Sequence, residues 1–296
     1  MIDFSGFSAY RTQLSATLPV AGKVTEFEVA GIYGRLYAPE STIEDILIVY
    51  HGGGVNSDAG YDILARQVSD GTAVAVCLVD IRGHGRSSGH KGKVSTPTHI
   101  WRDVDTVVGD MHATFPHARI HLLGHSSGGG MLINYFTRYT PTQKCNSMIL
   151  IAPEFGPFAP AEIRKSTATP FASVNTWPFI VNALSLGWLS GDRFAITLHF
   201  PEEVLASNPQ FVKHYSVNMA NALTPRQPAT QLALLPVPVT VLLAEKDELF
   251  DARLTETFLA ACANQQLRCQ IIANSHHLDC LFNALDLILQ HLIAHG

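Results

Sequence analysis

Short apolar runs alternate with longer stretches of helical periodicity along this chain. Ile46–Tyr50, Ala73–Val79, Ile120–Leu123, Met148–Ala152, Val239–Ala244 and Cys269–Ala273 are four to seven residues long and mostly continuous in apolar character. Such runs are expected of strands buried on both faces, as in a parallel sheet covered by helices. Val24–Val29 and Ile32–Tyr37 flank Ala30-Gly31 and predict an opening hairpin. Within Thr98–Thr114, Ile100, Val104, Val107, Val108 and Met111 recur at helical spacing, and Phe115-Pro116 ends the helix. Leu281, Leu285, Ile288 and Leu289 predict a last helix from about Asp279 to His295. The class is therefore α/β, with a mostly parallel central sheet flanked by helices.

One region breaks the alternation. Residues 153–238 hold 11 of the 16 prolines and no convincing strand. A structureless connection of that length is uncommon in a compact domain, so the region should carry elements of its own. Short helices are expected at Ala161–Thr169, Trp177–Leu189 and Pro209–Leu223. Residues 154–231 are thus expected to form a helical cap inserted into a core domain made of residues 1–153 and 232–296.

Composition narrows the function. With 47% hydrophobic and 15% charged residues the chain is not intrinsically disordered. A net charge of −5 excludes a nucleic-acid partner, since His90-Lys91-Gly92-Lys93 is the nearest thing to a basic cluster. Five cysteines without CxxC spacing favour a reducing compartment. Asp3 precedes any apolar run, so the amino terminus does not read as a secretory signal. The longest apolar stretch, Leu232–Ala244, is 13 residues long and interrupted by Pro236 and Pro238, too short to span a membrane. A cytoplasmic protein is expected. No HExxH or paired CxxC suggests a metal site, and no cofactor is called for.

The chemistry centres on Ser126. The strand at Ile120–Leu123 runs into Gly124-His125-Ser126-Ser127-Gly128, and a helical pattern follows from Met131. A serine between two glycines at a sharp strand-to-helix turn has its hydroxyl pushed into the open, where the helix N-terminus favours developing negative charge. Upstream, Ile46–Tyr50 ends in His51-Gly52-Gly53-Gly54. A glycine run there lets a backbone N–H of Gly53, or alternatively Gly54, join that of Ser127 in holding an oxyanion.

These pieces, together with Asp80–Gly89 (DIRGHGRSSG), Trp101-Arg102-Asp103-Val104 and Leu242–Asp247 (LLAEKD), resemble the α/β-hydrolase fold. The likeness is to its monoacylglycerol lipase and lysophospholipase branch, grouped with serine aminopeptidase-like hydrolases, and covers most of the chain outside the cap. Two positions depart from the pattern: Ser127 stands where the family usually has Met, and Glu245 where it usually has Gly. The resemblance implies that Asp80, Arg82 and His84 brace a loop beside the site. It also implies an order of Ser, acid, His, each on a loop after a strand. Asp247 then falls at the acid position, while Glu245, Glu248 and Asp251 are expected to be solvated loop charges. Counting from Ile271 places the base at His277, and a loop one residue shorter would make it His276.

The activity implied is a serine esterase that forms an acyl-enzyme on Ser126 and hydrolyses a small-molecule ester of monoacylglycerol or lysophospholipid type. Trp177, Phe179, Leu184 and Trp188 are candidate cap residues over an acyl-chain tunnel, and such a cap can transiently touch a membrane surface. Peptidase, thioesterase and acyltransferase chemistry share the acyl-enzyme and stay open, as does a non-catalytic ligand-binding role.

Overall fold

The computed structural model describes residues 2–18, 22–166 and 169–296. Helix α1 (Phe4–Thr17) leads into the antiparallel hairpin β1 (Lys23–Val29) and β2 (Ile32–Ala38), then β3 (Asp45–Tyr50), α2 (Tyr61–Ser69), β4 (Val74–Val79), α3 (Pro97–Thr114), β5 (Arg119–His125), α4 (Ser127–Arg138) and β6 (Ser147–Ile151). The inserted segment follows. It comprises a 3-10 turn at Ala161–Ile163, β7 (Ala172–Val174), α5 (Thr176–Leu184), β8 (Phe194–Leu198), α6 (Glu202–Ser207), β9 (His214–Ser216), α7 (Val217–Leu223) and α8 (Pro228–Ala233). The chain then closes with β10 (Val239–Ala244), α9 (Ala252–Ala260), β11 (Leu267–Ile272), α10 (Cys280–Asn283) and α11 (Leu285–His295).

The central sheet has eight strands in the order β1-β2-β4-β3-β5-β6-β10-β11, parallel from β4 onward. Its side chains alternate between two cores. Ile46, Ile48 and Tyr50 of β3 pack on one face with α3 and α4, and Leu47 and Val49 pack on the other with α2 and α11. All six residues of β3 and of β4 are buried, which is why their sequences are apolar at every position but Asp45, whose carboxylate is paired with Arg119. Each buried Ile, Leu or Val stabilises the fold by about 2 kcal/mol, so this double-sided core dominates the folding energy.

Each expected strand is present within two residues at either end. The last helix differs: a break at Ala284 splits it into α10 and α11. The inserted segment also differs, because it is not purely helical. β7, β8 and β9 form a three-stranded antiparallel sheet, and the expected helices shrink to the turn at Ala161–Ile163, to α5 and to α7. Residues 167 and 168 of the first expected helix lie outside the described residues. The strands escape a period-two reading because they are short: β7 is three residues long and wholly exposed, so nothing makes its alternation apolar.

The segment is anchored to the core along α7, which packs on α3 and α4. Trp101 Nε1 donates to the Ala222 carbonyl at 3.0 Å, and Asn134 Nδ2 donates to the same oxygen at 3.0 Å. The Asp80–Gly89 segment is expected to brace the loop beside the site, and Asp80 does hold that loop at Ser57. Asp80 accepts the backbone N–H groups of Ser57 and Arg86, each at 2.8 Å, and Arg82 forms a paired ion bridge to Asp103 at 2.7 and 2.8 Å. His84 has a further contact, described below. Among the described residues no helix is long and apolar enough to cross a membrane, and no His, Cys, Asp and Glu cluster could hold a metal ion.

Candidate active site

Ser126 sits at the turn between β5 and α4 with φ 51° and ψ −117°, a conformation that a non-glycine residue adopts only under compulsion. The compulsion is visible. A side chain at Gly124 would lie 2.6 Å from the Gly128 backbone, and one at Gly128 would lie 2.5 Å from the Tyr50 carbonyl. The turn is fastened by the Ser126 N–H to the Ile151 carbonyl at 3.0 Å, and by the Ser126 carbonyl accepting from Gly129, Gly130 and Glu154. The glycine spacing thus allows β5, α4 and the end of β3 to meet at one point.

The loop after β11 brings His277 to this serine. His277 Nε2 lies 3.1 Å from Ser126 Oγ, and its Nδ1 lies 2.8 Å from Asp247 Oδ2 on the loop after β10. Asp247 Oδ1 accepts the N–H groups of Leu249 and Phe250 at 2.7 and 3.2 Å. Burial opposes ionisation of Asp247, yet His277 and those two N–H groups hold its carboxyl below the usual range. Burial likewise opposes charge on His277, but Asp247 outweighs it and the imidazole is more basic than an ordinary histidine. His276 is turned away and half-exposed, with Nδ1 3.1 Å from Asp279. The longer loop count is the one realised.

Neither Gly53 N–H nor Ser127 N–H has an acceptor among the described residues. The Gly54 N–H is taken, since it donates to Tyr215 Oη at 2.5 Å. Of the two glycine donors considered, Gly53 remains available and Gly54 does not. Of the loop charges, Glu245 is exposed as expected, whereas Glu248 is half-buried against the base loop. Glu248 accepts the His277 N–H at 2.9 Å, Glu245 accepts the Asn274 N–H at 2.7 Å, and Asp251 caps α9 through the Leu254 N–H at 3.0 Å. Acidic residues in a loop beside exposed backbone donors find those donors, which residue type alone does not reveal.

Ser126 and His277 open into a cleft of about 1120 Å³. The inserted segment forms one wall, with Phe179, Leu198 and Phe200 among its residues, and α1 forms another through Ser5, Ser8 and Thr12. Of the four cap residues singled out by sequence, only Phe179 faces this space. Trp177, Leu184 and Trp188 are 68%, 82% and 88% exposed on the outer side. α5 is nine residues long and turns Phe179, Ile180 and Ala183 toward the cleft, which leaves Trp177 and Leu184 on its outer side. The part played by α1 was missed in the sequence, because its polar lining residues carry no apolar stripe.

A serine on a strained turn after the fifth strand, with a carboxylate and a histidine from later strand ends, is the arrangement of the α/β-hydrolase fold. The family model described as serine aminopeptidase, S33 matches residues 41–281, and the chain belongs to that family. It is similar to human monoglyceride lipase, 26% identical over 253 residues that cover 83% of this chain and 80% of the relative. It is also similar to the probable lysophospholipase L2 of Haemophilus influenzae, 22% identical over 267 residues, with 83% and 80% covered. Among solved structures, a soluble variant of the Saccharomyces cerevisiae monoglyceride lipase with a substrate analog superposes with a TM-score of 0.66 at 16% identity, covering 95% of this chain and 96% of that one. The Paleococcus ferrophilus monoacylglycerol lipase does so with a TM-score of 0.63 at 16% identity, covering 90% and 99%.

Proposed function

We propose that this carboxylic ester hydrolase cleaves lipid-like esters of monoacylglycerol or lysophospholipid type through Ser126, His277 and Asp247. The carrying observation is the chain of contacts Ser126 Oγ–His277 Nε2 at 3.1 Å and His277 Nδ1–Asp247 Oδ2 at 2.8 Å. In this reading His277 removes the Ser126 proton as Oγ attacks the ester carbonyl carbon, and Asp247 stabilises the imidazolium without taking its proton. The N–H groups of Gly53 and Ser127 receive the negative oxygen. The imidazolium then protonates the leaving alkoxide, which departs as the alcohol. Water activated by the same imidazole releases the carboxylic acid and restores Ser126. No cofactor enters these steps.

The substrate class rests on the cleft and the relatives. A volume of about 1120 Å³ lies at the upper end of small-molecule pockets and suits a long acyl chain. Residues 154–231 act in this reading as the lid over that chain. The outward Trp177, Leu184, Leu186 and Trp188 give the lid an apolar face suited to transient contact with a membrane surface. Unpaired thiols at all five cysteines fit a cytoplasmic setting.

Aminopeptidase action is the second reading, because Glu203 lines the cleft and could hold a substrate amine. The test is a panel of p-nitrophenyl esters of increasing chain length beside aminoacyl-naphthylamides, with Ser126→Ala as control. Ester turnover rising with chain length and lost in S126A supports the proposal. Amide turnover alone overturns it.

A further inference from the structure

The inserted segment reaches into the catalytic machinery at one point. Tyr215 on β9 is buried, and its Oη lies 2.5 Å from the Gly54 nitrogen and 2.7 Å from His84 Nε2. The polarity of these contacts follows from the groups behind them. His84 Nδ1 faces the Arg82 carbonyl at 3.2 Å, and a carbonyl only accepts, so Nδ1 carries the proton and Nε2 is the acceptor. The Tyr215 hydroxyl therefore donates to His84 and accepts from Gly54. Burial and the neighbouring His51 keep His84 neutral by holding its pKa well below the ordinary value. Gly54 is gripped at its other end too, since its carbonyl accepts the Val212 N–H at 2.7 Å.

The same loop is held from the core side. The Gly52 N–H donates to Tyr61 Oη at 2.8 Å, and the Gly52 carbonyl lies 2.8 Å from His51 Nδ1. His51 Nε2 accepts the Ile81 N–H at 3.0 Å, so Nδ1 is the protonated nitrogen and donates. The peptide that carries the Gly53 N–H is thus fixed at its carbonyl by His51, and the peptides on either side are fixed by Tyr61 and Tyr215. Three consecutive glycines have almost no conformational preference of their own. The direction of the Gly53 N–H is set by these partners, and of the two tyrosines only Tyr215 comes from the inserted segment.

We infer that Tyr215 is a positioning residue for the oxyanion loop, through which seating of the inserted segment aligns the Gly53 N–H with the reacting carbonyl. The inference rests on the esterase reading above. Lifting the segment would release Gly54 at both its N–H and its carbonyl, so an open lid would also be a lid over a disarmed site.

Tyr215→Phe removes the hydroxyl and keeps the ring. On p-nitrophenyl butyrate its kcat is expected to fall about ten- to a hundredfold with KM within about twofold, somewhat less than direct loss of an oxyanion donor. Inhibition by a trifluoromethyl ketone, whose serine adduct carries the oxyanion, should weaken in parallel with kcat/KM. His84→Ala removes the acceptor behind the hydroxyl together with a buried ring that packs on His51 and Tyr215, and should give a fall of the same kind, which provides a second test should Y215F not fold. Wild-type kcat and ketone affinity in either folded variant would overturn the inference, as would a rise in KM at unchanged kcat. Full ester turnover by S126A would instead sink Ser126 as the nucleophile, and with it the reading on which the inference rests.

Discussion

The Glu248 carboxylate accepts the backbone N–H of His277 at 2.9 Å with one oxygen and that of Asp3 at 3.1 Å with the other. The base loop and the start of α1 therefore share one anchor. Glu248→Gln removes the charge while keeping an acceptor. Because the Glu248 charge helps raise the His277 pKa, E248Q should move the acid limb of the pH–rate profile to lower pH. Glu248→Ala should also lower kcat severalfold by loosening the loop, as steady-state kinetics would show.

The wild-type profile follows from the same imidazole. In the proposed mechanism His277 must be neutral to take the Ser126 proton, and its pKa lies above the ordinary 6.5. Measured kcat/KM should therefore rise with pH through a midpoint above 6.5. A midpoint below that value would contradict the Asp247 pairing. Asp247→Asn, which withdraws the charge, is expected to cost about 10⁴ in kcat, as in other triads.

α1 bears on chain-length selectivity. Phe4 packs on Phe171 and Phe200 of the inserted segment with ring centroids 6.1 and 5.7 Å apart, and Phe7 stacks on Phe282 of α10 at 5.1 Å. The helix thus bridges the core and the inserted segment beside the cleft. Ser8→Trp should fill part of that space, lowering kcat/KM for dodecanoyl and longer esters about tenfold while leaving the acetyl ester within about twofold, by analogy with other overfilled pockets. Equal effects on short and long esters would show that α1 does not contact the chain.

Far from Ser126, beneath the sheet, lies a buried polar chain. Thr240 Oγ1 contacts His291 Nδ1 at 2.7 Å, His291 Nε2 contacts Ser147 Oγ at 2.7 Å, Ser147 Oγ contacts His121 Nδ1 at 2.6 Å, and His121 Nε2 reaches Asp45 at 3.0 Å. Burial lowers the His121 pKa and keeps the ring neutral. With Nε2 donating to the Asp45 carboxylate, its Nδ1 accepts from Ser147, Ser147 accepts from His291 Nε2, and His291 Nδ1 accepts from Thr240. Burial and the nearby His295 and His121 push the His291 pKa down to about 3. A folded-state value below the unfolded one makes the unfolded chain bind more protons, so stability is complete above about pH 6.5 and falls on acidification. At pH 5 this one residue should cost about 2 kcal/mol. Thermal unfolding from pH 7 to 5 should show a drop in Tm that is reduced in a folded His291→Gln variant.

Much of the molecule was written locally. Ile46–Tyr50 and Val74–Val79 are apolar at every turn because both faces are covered, and a run of that kind announces its burial wherever it stands. Gly124 and Gly128 announce the elbow because the backbone there tolerates no side chain. The resemblance carried Asp247 and His277, and left His276 open, since loop length in residues does not say which of two adjacent rings turns inward.

The strength of β7–β9, the orientation of α5 and the roles of Glu248, Tyr215 and α1 depend on partners remote in sequence. Tyr215 meets Gly54 across 161 positions, and Glu248 meets Asp3 across 245. A hydrogen bond of this range leaves no periodicity behind, because it is specified by where two surfaces dock and not by the spacing of residues along either one. The chain's own order of apolar runs and glycines therefore determined the sheet and the turn at Ser126, whereas the docking of the inserted segment and the amino-terminal helix decided which donors, walls and charges surround it.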